Sequence, residues 1–446
     1  MAAALAVVLP PAAGIARAVA VADRASGRAG TGGSSGWTRP FRIAGPVALD
    51  ILPAQIGFSP TGAAAIAFGV NDADVPEIAV GFAALFAPSG QLRGPTQVPG
   101  ASSILDLSFD RGGFALLSGS SPVPMRCCTS AQVISLTSAG SFRRARTIAG
   151  NLTGTVAGRL VALSGGRALA AIASASGVWV AQSSRGGRFA APRLLAPAGA
   201  QTEALAATVL ARGHRSVLAW TAAGAPGGLG PRRIFVATGS RAHAPRRGRA
   251  AVTVPRGHGV EELGLVPHRR MATVAWIESS YDRAGRYRSQ AVVADLDRRR
   301  RARAFTVAGE DAAGLSVAAD ANGDQALAWK TCTRSARCTV RVAARRAGGP
   351  FGASRSPGTI DPAQTPVVAL APDGAVLVGW IRHGKVFASV AGSPGAGFTS
   401  PHRISAGNYA HELALAFGPK RAAIAAWTEG TRSPSLEGAV YELRGR

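Results

Sequence analysis

Eight times along this chain a short apolar strand, a tight turn and a second apolar strand follow one another. The copies are "IGFSPTGAAAIAFG" (56–69), "LDLSFDRGGFALLSG" (105–119), "RLVALSGGRALAAIA" (159–173), "LAATVLARGHRSVLAW" (205–220), "LGLVPHRRMATVAW" (263–276), "LSVAADANGDQALAW" (315–329), "VVALAPDGAVLVGW" (367–380) and "LALAFGPKRAAIAAW" (413–427). The last five end in tryptophan, at Trp220, Trp276, Trp329, Trp380 and Trp427. A repeat of roughly 50 residues is the size of a four-stranded unit that buries its faces only against neighbours of the same kind. A third strand follows each hairpin after a loop of variable length, as in "RIFVATG" (233–239) and "KVFASVA" (385–391). Runs of strand length punctuated by glycine and proline are what such hairpins require.

The fourth element closes the argument. "GRFAAPRLLAP" (187–197) and "AGFTSPHRISAG" (396–407) share glycine, an aromatic, proline and a terminal aliphatic, and "GPFGASRSPG" (349–358) is a weaker copy. The eighth unit lacks this element after "GAVYELR" (438–444), yet "GWTRPFRIAG" (36–45) supplies it at the other end of the chain. Trp37 falls on Phe398, Pro40 on Pro401, Arg42 on Arg403 and Ile43 on Ile404. An N-terminal strand that completes the last unit closes a ring and leaves no sheet edge open. The expected fold is all-β: a single β-propeller of eight four-stranded blades, or seven if one of the weaker early copies is not a blade. The tryptophans are expected to pack between blades.

The ring occupies residues 37–446. Residues 1–26 form an alanine-rich N-terminus that reads either as a signal peptide, with Ala18-Val19-Ala20 and Ala20-Val21-Ala22 as small-x-small cleavage patterns but no basic start, or as a disordered tail. Residues 27–36, "GRAGTGGSSG", read as a flexible linker. Export to the extracellular space or the cell surface is the expectation. No uninterrupted apolar stretch after the N-terminus is long enough for a membrane span. The formal net charge is +26, carried by arginine almost throughout. Nucleic-acid binding needs a focused basic face with stacking aromatics. Here the arginines are scattered and aromatics are 6% of the chain, so nucleic acid is not the expected partner.

The turns "FSPTG" and "APDG" resemble those of TolB-like propeller repeats, and the "GG-x-F-x-x-P-x-x-L" ending is similar to the sialidase/BNR-like repeats of secreted bacterial propellers. A sialidase would place an arginine at the start of the ring, and "FRI" (Phe41–Ile43) resembles that motif. The following proline is missing, however, and Arg42 matches Arg403 in another fourth strand, so it reads as part of the repeat. "SFDRGGF" (Ser108–Phe114) is a partial Asp-box on the turn between first and second strands, where the Asp-box belongs between third and fourth. Glycoside hydrolysis also asks for two positioned carboxylates, or a tyrosine nucleophile backed by acid.

Loops between second and third strands share a face with the connections between blades, and they vary most in this chain. Variable loops on a rigid scaffold are where binding residues gather. Glu278, Tyr281, Asp282 and Tyr287 form the most polar-aromatic of them and are the ligand-binding candidates. Asp72, Asp74 and Glu77 could hold Ca²⁺ with backbone carbonyls, although a solvated turn is the simpler reading. Of the four cysteines, Cys332 and Cys338 are placed to staple a hairpin and Cys127 and Cys128 are adjacent. Two local disulfides fit an exported protein better than a metal site, since no C-x-x-C or paired histidine stands nearby. No catalytic residue and no cofactor is assigned. The expectation is a monomeric, non-catalytic scaffold that binds a protein, a glycan or an acidic polymer at the cell envelope. A divergent sialidase-like hydrolase or lyase is the alternative.

Overall fold

The computed structural model describes residues 36–442 apart from 48, 72–78, 88–89, 111–112, 121–129, 153–156, 176, 186–187, 198–203, 211–213, 223–232, 269–270, 298–301, 310, 334 and 420–421. Eight antiparallel sheets follow one another around a ring, which settles the blade count at eight. In blades 2 to 7 the strands run in sequence order from the innermost outward. Blade 7 is representative: Val367–Leu370, Val376–Arg382, Lys385–Ala391 and His402–Arg403. No helix long and apolar enough to cross a membrane occurs among the described residues.

The two chain ends meet in blade 8. Its first three strands are Ala410–Phe417, Ala422–Glu429 and Ser435–Glu442, and Phe41–Ala44 pairs antiparallel with the third. Trp37 bridges Tyr441 as Phe398 bridges Ala391 in blade 7, the correspondence expected from the repeat. Thr38 adds two bonds to Val440, one through its amide and one through its hydroxyl. The N-terminal strand thus gives blade 8 its fourth strand and covers Ser435–Glu442, leaving outer edges of the kind the other blades have.

Each tryptophan faces the preceding blade. Trp220 packs with Leu163 and Leu169 of blade 3, Trp380 with Val340 and Ile360 of blade 6, and Trp427 with Leu377 and Val386 of blade 7. All five are at most 1% exposed. In the first three blades, which lack the motif, Phe68, Ser118 and Ile172 hold that position. Blade 3 moves its ring across the ladder instead, to Trp179 opposite Ile172. Blade 2 has no large apolar side chain at this level: Ser118 faces Gln132 there.

The innermost strands carry most of the irregularity. Blade 1 breaks its strand into Asp50–Ile51 and Gln55–Phe58 around Pro53, which has no N–H to give the ladder. Blades 2, 5, 6 and 8 bulge there. Two of these bulges present a carboxylate to the next blade: Asp106 accepts Leu160 N at 2.7 Å, and Glu262 accepts the amides of Gly314 and Leu315. Burial pushes the Asp106 carboxyl up, against the pull of Arg159 and the two backbone donors.

Blade 6 departs from the repeat alignment. Arg355, not Phe351, bridges Val342, and Phe351 lies 4.4 Å beneath the Arg345 guanidinium. The Cys332–Cys338 disulfide joins directly opposed residues of its second and third strands, as expected.

Candidate functional site

The face that carries the second-to-third loops and the interblade connections holds a pocket at the junction of blades 7, 8 and 1. Its volume is about 530 Å³, and its walls include Asp50, Asn408, Tyr409, His411, Thr431 and Pro434. Three separate connections supply these side chains. Asp50 opens blade 1, Asn408–His411 lead from blade 7 into blade 8, and Thr431 and Pro434 belong to the loop after Glu429.

The wall that bears Tyr409 is built to one geometry. Glu429 accepts the Tyr409 amide at 2.8 Å on one oxygen and the Trp427 indole N–H at 3.2 Å on the other. Ala410 N donates to Gly384 O at 2.8 Å and Gly430 N to Tyr409 O at 3.1 Å. Arg403, one of the repeat arginines, donates to the carbonyls of Ser405, Ala406 and Gly407 and to the Asn408 side chain. Gly407 and Gly384 are required by close approach: a Cβ would stand 2.1 Å from Glu429 Oε1 in the first and 1.9 Å from Asn408 O in the second. Gly384 also has φ of +65°. So held, the Tyr409 ring remains 66% exposed. His411 Nδ1 lies 3.3 Å from the Tyr409 carbonyl, which can only accept, so Nε2 is left as the acceptor of a neutral ring.

The arrangement around Trp427 recurs in blade 5. There Glu278 accepts Trp276 Nε1 at 3.2 Å and meets His258 Nδ1 at 2.7 Å, on the same face of the ring. Glu278, expected in a ligand-contacting loop, is buried and committed to these partners. Asp282 organises its own turn by accepting the amides of Ala284 and Arg286, with Arg286 and Arg288 beside it. The Arg286 amide bond leads the causes that hold its carboxyl below the usual range. Tyr281 and Tyr287 come together as a T-shaped pair, centroids 5.9 Å apart and 72% and 45% exposed. Partial burial, then the hydrogen bond to Glu261, pushes the Tyr287 phenol up to about 12. On the same face Lys330 fastens the next connection through the carbonyls of Pro362 and Gln364, and burial lowers its pKa.

Arg42 lies on the outermost strand of blade 8, paired with Glu437 at 3.3 Å. The Asp-box-like segment spans the first-to-second turn of blade 2, and "DANGD" (320–324) is a turn in which the Asp320 carboxylate accepts the amides of Asn322 and Asp324. Asp72, Asp74, Glu77, Cys127 and Cys128 lie outside the described residues. Among those described, no group of three or more His, Cys, Asp or Glu residues could hold a metal ion. The pocket residues Asp50, Asn408, Tyr409 and His411 escaped the sequence reading. A signal for their setting was present in the shared Trp-x-Glu of "WIE" (276–278) and "WTE" (427–429).

No family model and no curated protein matches the chain. Solved structures do. The polysaccharide lyase Uly1 is similar with a TM-score of 0.51 at 8% identity, over 79% of this chain and 92% of its own. The Dos1 propeller gives a TM-score of 0.51 at 12% identity, over 92% and 95%. An ulvan lyase gives a TM-score of 0.51 at 11% identity, over 81% and 98%. These likenesses establish the β-propeller fold.

Proposed function

We propose that this protein is an exported β-propeller that binds a hydroxyl-rich glycan in the pocket at the junction of blades 7, 8 and 1. One observation carries the reading: an exposed, rigidly seated tyrosine ring stands among carboxylate, amide and hydroxyl side chains in a pocket of about 530 Å³. A flat aromatic face offers an apolar platform to a sugar ring, and the polar rim meets its hydroxyls. The charged wall residue is Asp50, and Glu429 stands behind Tyr409. Carboxylates there favour a neutral chain over an acidic one, whatever the net charge of the protein. The Cys332–Cys338 disulfide fits an oxidising compartment.

Cleavage of the glycan is the second reading. It is favoured by Asp50, Tyr409 and His411 lining one pocket, since proton transfer from or to a sugar needs such groups within reach. Two of the similarly folded proteins are polysaccharide lyases.

Calorimetric titration of neutral polysaccharides into the purified protein tests both. Saturable binding that persists at high salt and falls about tenfold or more in Tyr409→Ala supports the proposal. Tighter, salt-sensitive binding of a uronate-rich polysaccharide titrated in parallel would replace the neutral glycan by a polyanion. New chain ends released during the titration, and suppressed in His411→Gln, would favour the enzyme. No binding by the folded protein would overturn the glycan reading.

A further inference from the structure

We infer that the glycan is an extended chain held at two stations on one face, the pocket beside Tyr409 and a second aromatic platform, Tyr281 with Tyr287, on blade 5. This rests on the glycan reading above and adds a separate binding surface to it. Five large hydrophobic side chains are exposed among the described residues: Leu194, Tyr281, Tyr287, Phe305 and Tyr409. Leu194 and Phe305 lie on outermost strands, at the rim of the ring. The three tyrosines all lie on the loop-rich face. The remaining tyrosine, Tyr441, is packed against Trp37 at 5.0 Å. Tyr281 and Tyr287 form a paired, exposed aromatic surface, and Tyr409 is exposed on the same face.

The blade 5 platform is raised and stiff. Its hairpin joins the strands Met271–Tyr281 and Tyr287–Leu296, of 11 and 10 residues, where the corresponding strands of blade 7 have 7 each. Tyr281 and Tyr287 face each other across its last rung. The turn beyond is closed by Asp282, the Tyr287 hydroxyl is tied to Glu261, and the Tyr281 ring rests edge-on against the Tyr287 ring held in this way. Preordered rings bind without the entropy cost of fixing them. Blade 6 lies wholly between this platform and the pocket, which begins at Gly384 of blade 7, so a mono- or disaccharide cannot touch both. A long chain can, and its second contact then forms at high effective concentration.

The test uses the full chain and three probes, soluble β-glucan, mannan and xylan, each as polymer and as an oligomer ladder from two sugars upward. For the probe that binds, wild-type affinity is expected to rise about 10²-fold from the dimer to the polymer. Tyr281→Ala/Tyr287→Ala is expected to abolish most of that rise, with an effect that grows with chain length. Tyr409→Ala is expected to weaken short and long chains alike. Tyr281→Ala alone keeps the test available should the double variant fold poorly. If affinity is flat with length, or the double variant binds polymer as the wild type does, the two-station inference is overturned while the glycan reading stands. If no probe binds the wild type at any length, both fall.

Discussion

Arg345 of blade 6 closes on Asp295 of blade 5, Nη2 to Oδ1 at 2.5 Å and Nη1 to Oδ2 at 2.9 Å. The guanidinium is otherwise buried against Gln325, Thr273 and His268, and Thr273 donates to the same Asp295 oxygen at 2.6 Å. This network joins two blades on the face opposite the pocket. Nothing in a chain rich in scattered arginine singles out Arg345.

Removing one partner from such a network leaves the other without its counter-charge. Arg345→Met is expected to destabilise the protein by about 3 kcal/mol, at the lower end for buried pairs because Asp295 retains 32% exposure. Urea unfolding of the variant against wild type measures it.

The same pair sets an acid limit. Burial raises the Asp295 carboxyl, but the bonds from Arg345 and Thr273 outweigh it and the net shift is downward. A depressed folded-state pKa contributes stability above the unfolded value of about 3.9, and the contribution is lost as pH falls through the folded value. Wild type and Asp295→Asn should therefore differ by a constant amount from pH 7 to about 5 and converge below about 4. A gap that does not narrow as the pH falls below about 4 would contradict the assignment.

Ring closure depends on the N-terminal strand. Deleting residues 1–45 strips the outermost strand from blade 8 and uncovers the edge Ser435–Glu442. The expected result is a sharply lower unfolding midpoint and concentration-dependent association, read by light scattering.

Trp329 offers a gain. Its indole nitrogen is buried with no partner, whereas Trp276 and Trp427 each reach a glutamate two residues on. Thr331 occupies that place in blade 6. Thr331→Glu should supply the missing acceptor and stabilise by about 1 kcal/mol. Unchanged or reduced stability would show that the glutamate cannot adopt the same rotamer.

Reducing Cys332–Cys338 frees a loop closed between opposed residues six apart in sequence. The loss expected for so short a loop is about 2 kcal/mol, measured as the shift in urea midpoint of Cys332→Ser/Cys338→Ser.

The ring, its four-stranded blades, the closing strand and the blade 6 disulfide were legible because each depends on local pattern, whereas the choice of eight blades over seven came from the structure. Alternating apolar residues, turn glycines and a repeated tryptophan act within one hairpin, and a hairpin is contiguous in sequence. Tyr281 and Tyr287 were legible for the same reason, since one hairpin carries both. Glu278 and Asp282, grouped with them by proximity in sequence, turn away to Trp276 and to the turn amides. Neighbours on a strand point to opposite faces, so adjacency says little about convergence.

The sequence by itself determined a closed ring of four-stranded sheets, eight or seven in number, because each blade must bury two apolar faces and only like neighbours are available to cover them. The tertiary structure alone decided where a ligand can sit. Asp50, Tyr409 and Thr431 come from connections that closure of the ring brings side by side, and Arg345 finds Asp295 only when blades 5 and 6 pack. Such meetings depend on the angle and register between blades, which no local pattern encodes.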